Sequence, residues 1–169
     1  ESVQALVREG ESTGRSFTLA VTDIDHFKKF NDTHGHKAGD FVLAETARLL
    51  METVRAGSRD QAFRYGGEEF CMLLPETVAK DAAGVLEDYR RKVEAEDFMY
   101  EGETLKVTVS IGICDYPARS DRERTIFEHA DKALYASKEG GRNQVRIYEG
   151  DEKTTLVTKS SKKKSKKKS

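Results

Sequence analysis

Tryptophan is absent from this chain, and proline and cysteine occur only twice each. Cys71 and Cys114 lie in apolar, strand-like runs without metal-ligand or redox spacing. That excludes a disulfide scaffold and a thiolate zinc centre, and predicts two buried thiols in a reducing, cytoplasmic compartment. No apolar run reaches the roughly eighteen residues of a membrane-spanning helix, and no signal-peptide pattern opens the chain. An initiating methionine is also missing, since the first residue is Glu1. The expectation is a piece of a longer protein, with any sensor or membrane span upstream.

Acidic residues are missing from one end. From Lys153 onward there are eight lysines and no carboxylates, whereas residues 1–152 carry a net charge of −9. The acidic body argues against a nucleic-acid duplex as a specific partner. The Ser-Lys run 160–169 can form no core, and a disordered tail over 151–169 follows a domain over 1–150. Each lysine near anionic lipid or nucleic acid contributes about 1 kcal/mol, so membrane contact is conceivable; a solvated tail without specific role is the plainer expectation.

What is present is most informative at Arg64-Tyr-Gly-Gly-Glu-Glu-Phe70. Two glycines between strand-like flanks suit a tight hairpin, because primed turns need positive φ. Glu68 and Glu69 follow at once, and Asp23 and Asp25 stand at the exit of an upstream strand. Any one of these acids alone reads as a solvated turn or a helix-end charge. Gathered together they repel each other unless a cation sits among them, and oxygen-only ligation points to Mg²⁺ or Mn²⁺. Two such ions polarise a phosphoryl group and activate an attacking hydroxyl.

Apolar spacing predicts a helix end at 2–9, a strand at Phe17–Ile24, a short helix near 26–32 and a longer one over 38–55. Strands Ala62–Tyr65 and Glu69–Leu74 form the hairpin, followed by a helix over 78–95. A strictly alternating strand runs from Leu105 to Ile113. A last helix ends at Glu139 before Gly140-Gly141, and Val145–Tyr148 closes the order β-α-α-β-β-α-β-α-β. That order predicts an α+β fold with a ferredoxin-like, antiparallel-rich central sheet of the palm and nucleotide-cyclase plan, helices on one face and an added hairpin.

Three further stretches bear on chemistry. The helix opening after Asp25 aims free N–H groups and Lys28 at the place where phosphates would lie. Asn31 and Asp40 form a donor and acceptor pair for a base edge, and a carboxylate can accept the paired N–H groups of guanine that adenine lacks. The bland readings make Asn31 a local cap and Asp40 a helix-start charge, and His34 and His36 lack the partners that zinc needs. Lys138 and Arg142 surround a helix end, either as dipole complement or as counter-charge to a triphosphate.

Asp23-Ile-Asp-His-Phe-Lys28, Asn31-Asp32, Gly35-His36 with Gly39-Asp40, Gly66-Gly-Glu-Glu-Phe70, Ser110-Ile-Gly-Ile113, and Ala130-Asp131 with Ala133-Leu-Tyr135, Lys138 and Gly141-Arg-Asn143 together resemble the GGDEF-domain diguanylate cyclases over about residues 16–148. The resemblance implies that Asp23, Glu68 and Glu69, with the Ile24 carbonyl, hold two Mg²⁺ (or Mn²⁺) ions per active site. It implies Glu68 as proton acceptor beside Glu69, and Lys28 as transition-state lysine. It places Phe27, Asn31, His36 and Asp40 around the nucleotide and Lys138 and Arg142 on the triphosphate. A homodimer would condense two GTP into cyclic di-GMP and release two pyrophosphates, under control of an upstream sensory or regulatory domain.

Two departures stand out. Product-inhibited members carry Arg-x-x-Asp shortly before the signature, and here the window is Gly57-Ser-Arg-Asp60, with Arg55 and Arg59 displaced by two positions either way. Glycine cannot supply a guanidinium fork, so feedback inhibition should be weak or absent. The Asp-x-Leu-Thr and Asn-Arg-Arg stretch expected before the first helix is missing too, which puts dimerisation of the fragment in question. Two alternatives stay open: a catalytically silent GTP or cyclic di-GMP receptor, and a cyclase that accepts ATP.

Overall fold

The computed structural model describes residues 2–119 and 122–158. The chain runs α1 (Val3–Thr13), β1 (Phe17–Ile24), α2 (Phe27–His34), α3 (His36–Met51), β2 (Gln61–Gly66), β3 (Glu69–Pro75), α4 (Ala79–Ala95), β4 (Phe98–Tyr100), β5 (Glu103–Leu105), β6 (Val109–Tyr116), α5 (Glu123–Glu139), β7 (Val145–Gly150) and β8 (Lys153–Leu156). Six strands form one sheet in the order β2-β3-β1-β6-β7-β8, and β4-β5 stand apart as a small hairpin. All pairs in the large sheet are antiparallel except β6 with β7, which are joined through α5. The α+β class and the antiparallel-rich sheet agree with the sequence analysis.

The one-sided packing does not. Helices α2, α3 and α4 cover one face, where Ala20, Ile24, Met72, Leu74, Ile111 and Ile113 meet Val42, Leu50, Leu86 and Val93. Helices α1 and α5 cover the other, where Leu19, Val21, Cys71, Leu73 and Cys114 meet Leu6, Val7, Ile126 and Ala133. Alternate residues of β1 therefore feed two cores, and every residue of that strand is buried. A strand covered on both faces reads as continuously apolar, as Phe-Thr-Leu-Ala-Val does. Cys71 and Cys114 are buried and unpaired as expected, and burial pushes both thiols up to about 12.

One close approach and one pair of caps fix the outer helices. A Cβ on Gly112 of β6 would lie 2.2 Å from both Ala130 O and Leu134 N of α5, so only glycine lets that helix rest on the strand. Helix α1 is capped at its start by Ser2 Oγ, which accepts from Ala5 N–H at 3.2 Å, and it ends in the left-handed Gly14 at φ 72°.

Two boundaries differ from the sequence expectation. The alternating run 105–113 is divided, because Leu105 closes the β4–β5 hairpin and β6 begins only at Val109. Alternation reports which face a residue takes, not which strand it pairs with. The β4–β5 turn puts Glu101 and Gly102 at φ 48° and 83°. The disorder expected from residue 151 is not found over 151–158, because Asp151 and Glu152 turn at φ 48° and 60° into β8, which pairs with β7. Thr154-Thr155-Leu156 supplies β-branched residues for that edge, and Val157 N–H donates to Val145 O at 2.9 Å. The lysine-rich stretch expected to be disordered, 160–169, lies outside the described residues. Among the described residues no helix is long and apolar enough to cross a membrane.

Candidate active site

Strand β1 carries Asp23 to one end of the sheet between its two neighbours. In register, Asp23 faces Glu69 of β3 on one side and Ser110 of β6 on the other. Strands β2 and β3 are joined by a turn through Gly67 and Glu68, with Gly66 opposite Glu69. Positive φ falls on Gly67 alone, at 53°, so one glycine of the pair meets the conformational need. Arg64 fastens the turn, donating from Nε and a terminal nitrogen to Gly67 O at 3.0 and 2.7 Å. Tyr65 stacks on Phe127 of α5 with centroids 5.4 Å apart, tying the hairpin to that helix.

Helix α5 supplies the cation. Lys138 Nζ donates to Asp23 Oδ2 at 2.8 Å, with the Asp23 side chain only 9% exposed. Burial pushes the Asp23 carboxyl up from its ordinary value, Lys138 opposes that, and the charges of Glu68 and Glu69 add to the rise. Glu69 is also raised, first by burial, then by the charge of Asp131 on α5, with Lys138 again opposing. Three carboxylates, Asp23, Glu69 and Asp131, thus bear on one ammonium, with Glu68 beside them. This is an oxygen-only donor set with excess negative charge, which fits a hard divalent cation. The set is not closed, because no group of three or more His, Cys, Asp or Glu side chains among the described residues is close enough to hold an ion.

Asp25 departs from the pairing of acids expected at the strand exit. Its Oδ1 accepts from Ser110 Oγ at 2.6 Å, and its Oδ2 from Thr108 Oγ1 at 2.7 Å and Asn143 N–H at 3.0 Å. Such a carboxylate is spent on structure: it pins the loop after α5 to the end of β1. That loop, with Arg142 and Asn143 at φ 62° and 46°, is also held by Arg90 and Glu94 of α4 through the Asn143 amide. Lys138 and Arg142 are therefore carried on a firmly anchored corner. Sequence reasoning missed both Asp131 and the scaffold role of Asp25. The Asp-x-Asp spacing carried no signal for the second, because the hydroxyls that hold Asp25 lie 83 and 85 positions away.

The remaining candidates line the helices beyond β1. Ile24 ends the strand, and Phe27 opens α2, a helix with no side-chain cap on its first N–H groups. Lys28 is exposed, as is His36 at the start of α3. Asn31 is packed against Gly39, whose hypothetical Cβ would sit 1.7 Å from Asn31 Oδ1. That oxygen is buried without a hydrogen-bond partner among the described residues. Asp40 follows on the rim of a cleft of about 480 Å³ walled by Leu43, Ala47, Phe63 and Phe70. The structure thus bonds Lys138 directly to Asp23, pairs Asp23 in register with Glu69 and sets Asn31 beside Gly39, while Lys28 and His36 stay apart in solvent.

The window before the hairpin is occupied by internal pairs. Arg55 grips Asp60 through Nε and a terminal nitrogen, both at 2.6 Å, and reaches Thr77 Oγ1 at 2.7 Å. Arg59 takes Glu9 of α1 at 3.0 and 2.8 Å.

The family described as "Diguanylate cyclase, GGDEF domain" matches residues 1–144. The chain belongs to that family. It is 45% identical to Diguanylate cyclase A of Treponema denticola, covering 78% of this chain and 35% of that protein. It is 39% identical to the response regulator PleD of Caulobacter vibrioides, covering 85% and 32%. The chain thus spans about a third of the length of these relatives. Among solved structures, the GGDEF domain of DgcB from Caulobacter crescentus in complex with c-di-GMP superposes with a TM-score of 0.80 at 39% identity, covering 88% of this chain and 86% of that one. An active GGEEF domain from Vibrio cholerae does so at 0.76 and 29%, covering 86% and 90%.

Proposed function

We propose that this domain is a diguanylate cyclase, condensing two GTP into cyclic di-GMP as a homodimer. The observation that supports this most directly is the register of Asp23 with Glu69, next to the Glu68 turn and against Lys138. Asp23, Glu68, Glu69 and the Ile24 carbonyl would hold two divalent ions. Bound there, the ions supply Lewis-acid polarisation of the phosphoryl group and a lowered pKa for the attacking hydroxyl.

The chain's own residues do the rest. Glu68 accepts the proton of the 3′-hydroxyl as that oxygen bonds to the α-phosphorus of the other GTP and pyrophosphate leaves. Lys28, Lys138 and Arg142 neutralise the phosphate charge. Phe27 and His36 flank the nucleotide, Asn31 donates to the base, and Asp40 accepts the paired N–H groups that mark guanine. The apolar walls beside Asp40 suit a purine face. Positioning and charge neutralisation supply most of the acceleration in such in-line transfers. Because each site is made of two halves, rate per domain should climb with protein concentration.

The product-inhibition site is lost on this reading. Gly57 provides no guanidinium, and Arg55 and Arg59, the nearest substitutes, are committed to Asp60 and Glu9. Incubation with GTP and Mg²⁺, with products resolved by chromatography across protein concentration, tests the function. Cyclic di-GMP with two pyrophosphates per product is expected. GTP binding without pyrophosphate release at the highest concentration would make the domain a receptor instead.

A further inference from the structure

We infer that Lys138 is a competitor of the divalent cation as well as a contact for the nucleotide. Its ammonium holds Asp23 Oδ2 and must leave that oxygen before the carboxylate can give both lone-pair sites to an ion. The inference rests on the reading of Asp23 as a metal ligand.

Three observations carry it. The Lys138–Asp23 bond is direct, at 2.8 Å, and its carboxylate end is nearly enclosed, at 9% exposure. A charge-assisted bond in such surroundings is among the stronger polar contacts a protein makes. The second is that Lys138 is the ammonium or guanidinium bonded to Asp23 among the described residues, while Glu68 and Glu69 crowd the same carboxylate from the hairpin. An arriving ion therefore meets a carboxylate that is already neutralised, and its gain is reduced by the bond it breaks. The third is the anchoring of the backbone. Asp25 pins the loop after Lys138 through Asn143 N–H, and Gly112 seats α5 on β6. The exchange is thus a movement of one side chain across a fixed corner.

The consequence is an ordering of events. A triphosphate draws the ammonium off Asp23 by offering it phosphate oxygens, and the oxygen so released becomes available to the ion. Cation and nucleotide then bind with positive coupling, each making room for the other, and this coupling is reciprocal. A cation presented alone is resisted.

Manganese alone, titrated into the full chain at pH 8 without nucleotide and followed by the loss of the free-ion paramagnetic resonance signal, tests this. Lys138→Met should bind Mn²⁺ about tenfold more tightly than wild type, a conservative share of a charge-assisted bond. Lys138→Arg keeps the competing charge and should stay near wild type. Lys132→Met is the control for bulk charge, since Lys132 lies on the same helix but pairs with Glu152; it should tighten binding little. Equal affinity in wild type and Lys138→Met, or equal tightening by Lys132→Met, overturns the inference while leaving the ligand assignment standing. Loss of the effect in Lys138→Met through misfolding is recognised by its melting curve, and Lys138→Gln then replaces it under the same criterion. Asp23→Asn separates the two readings: unchanged Mn²⁺ binding in that variant refutes Asp23 as the ligand, and the inference falls with it.

Discussion

Replacing Gly39 by alanine should injure nucleotide binding while leaving the fold almost intact. The added Cβ would stand 1.7 Å from Asn31 Oδ1 and 2.8 Å from its Cγ. An ordinary contact needs about twice the first distance, so the amide must retreat by roughly 1.7 Å. Hydrogen bonds tolerate only a few tenths of an ångström around 2.9 Å. A retreat of that size therefore removes one or two bonds from Asn31 to a base, at about 0.5–1.5 kcal/mol each. The expected loss is about 1–2 kcal/mol, or roughly five- to thirtyfold in GTP affinity. The fold suffers less, because Asn31 has no internal partner on that oxygen to lose and α3 gains a better helix former than glycine. Calorimetric titration with a non-hydrolysable GTP analogue, beside a thermal melt, measures both quantities. Wild-type affinity with an unchanged melt would refute the placement of Asn31 at the base; collapse of the melt would refute the claim that its amide can retreat.

Three other substitutions test the scaffold and the inhibition reading. Arg55→Ala strands the Asp60 carboxylate, whose side chain is fully enclosed, and should cost about 2 kcal/mol, reduced from the figure for a fully buried pair because Arg55 is 39% exposed. Burial by itself would raise the Asp60 carboxyl, but Arg55 outweighs it and holds the group below its ordinary value. The pair's stabilisation is therefore complete above the unfolded value of about 4 and fades as pH falls through the lower folded one. The gap between urea melts of the two proteins should begin to narrow below about pH 4 and close as pH falls past the lower folded value, and a gap that does not narrow on acidification argues against the pair. Gly84→Ala, in the exposed middle of α4 with open space around its Cβ, should add about 1 kcal/mol in a urea melt, and a loss would reveal a hidden contact. Gly57→Arg should not restore tight feedback inhibition, because Asp60 is already chelated by Arg55; strong inhibition of initial rates by added cyclic di-GMP would show that Arg55 lets go.

The sequence made the carboxylate-bearing end of the domain legible and left the far end obscure. Phe17–Ile24 could be read to the residue, because Phe17, Leu19, Ala20, Val21 and Ile24 make a nearly continuous apolar run that the acids Asp23 and Asp25 bring to a close. The Gly-Gly-Glu-Glu turn was equally plain, since few structures need those residues in that order. The hairpin Phe98–Leu105 was hidden by Glu101-Gly102, a weaker turn signal than Asn-Gly, running into an alternating strand that masked the break at Lys106. Strand β8 was hidden by the lysines beyond it. Two-faced packing does not follow from strand order; its signal lay in β1 and β6, whose alternate residues are apolar on both sides. Within the site, the direct bond from Lys138 to Asp23 spans 115 positions, and no local pattern encodes a contact of that separation.

The seat of α5 at Gly112 limits how this chemistry could be altered. A helix lodged so tightly that a methyl group is refused does not slide along its sheet, so whatever excursion Lys138 makes is spanned by four methylenes. On the proposed reading, the length of that stem sets the distance at which a phosphate can sit from Asp23. Shortening the arm or loosening the seat would then each detune that spacing, without touching any acid at all.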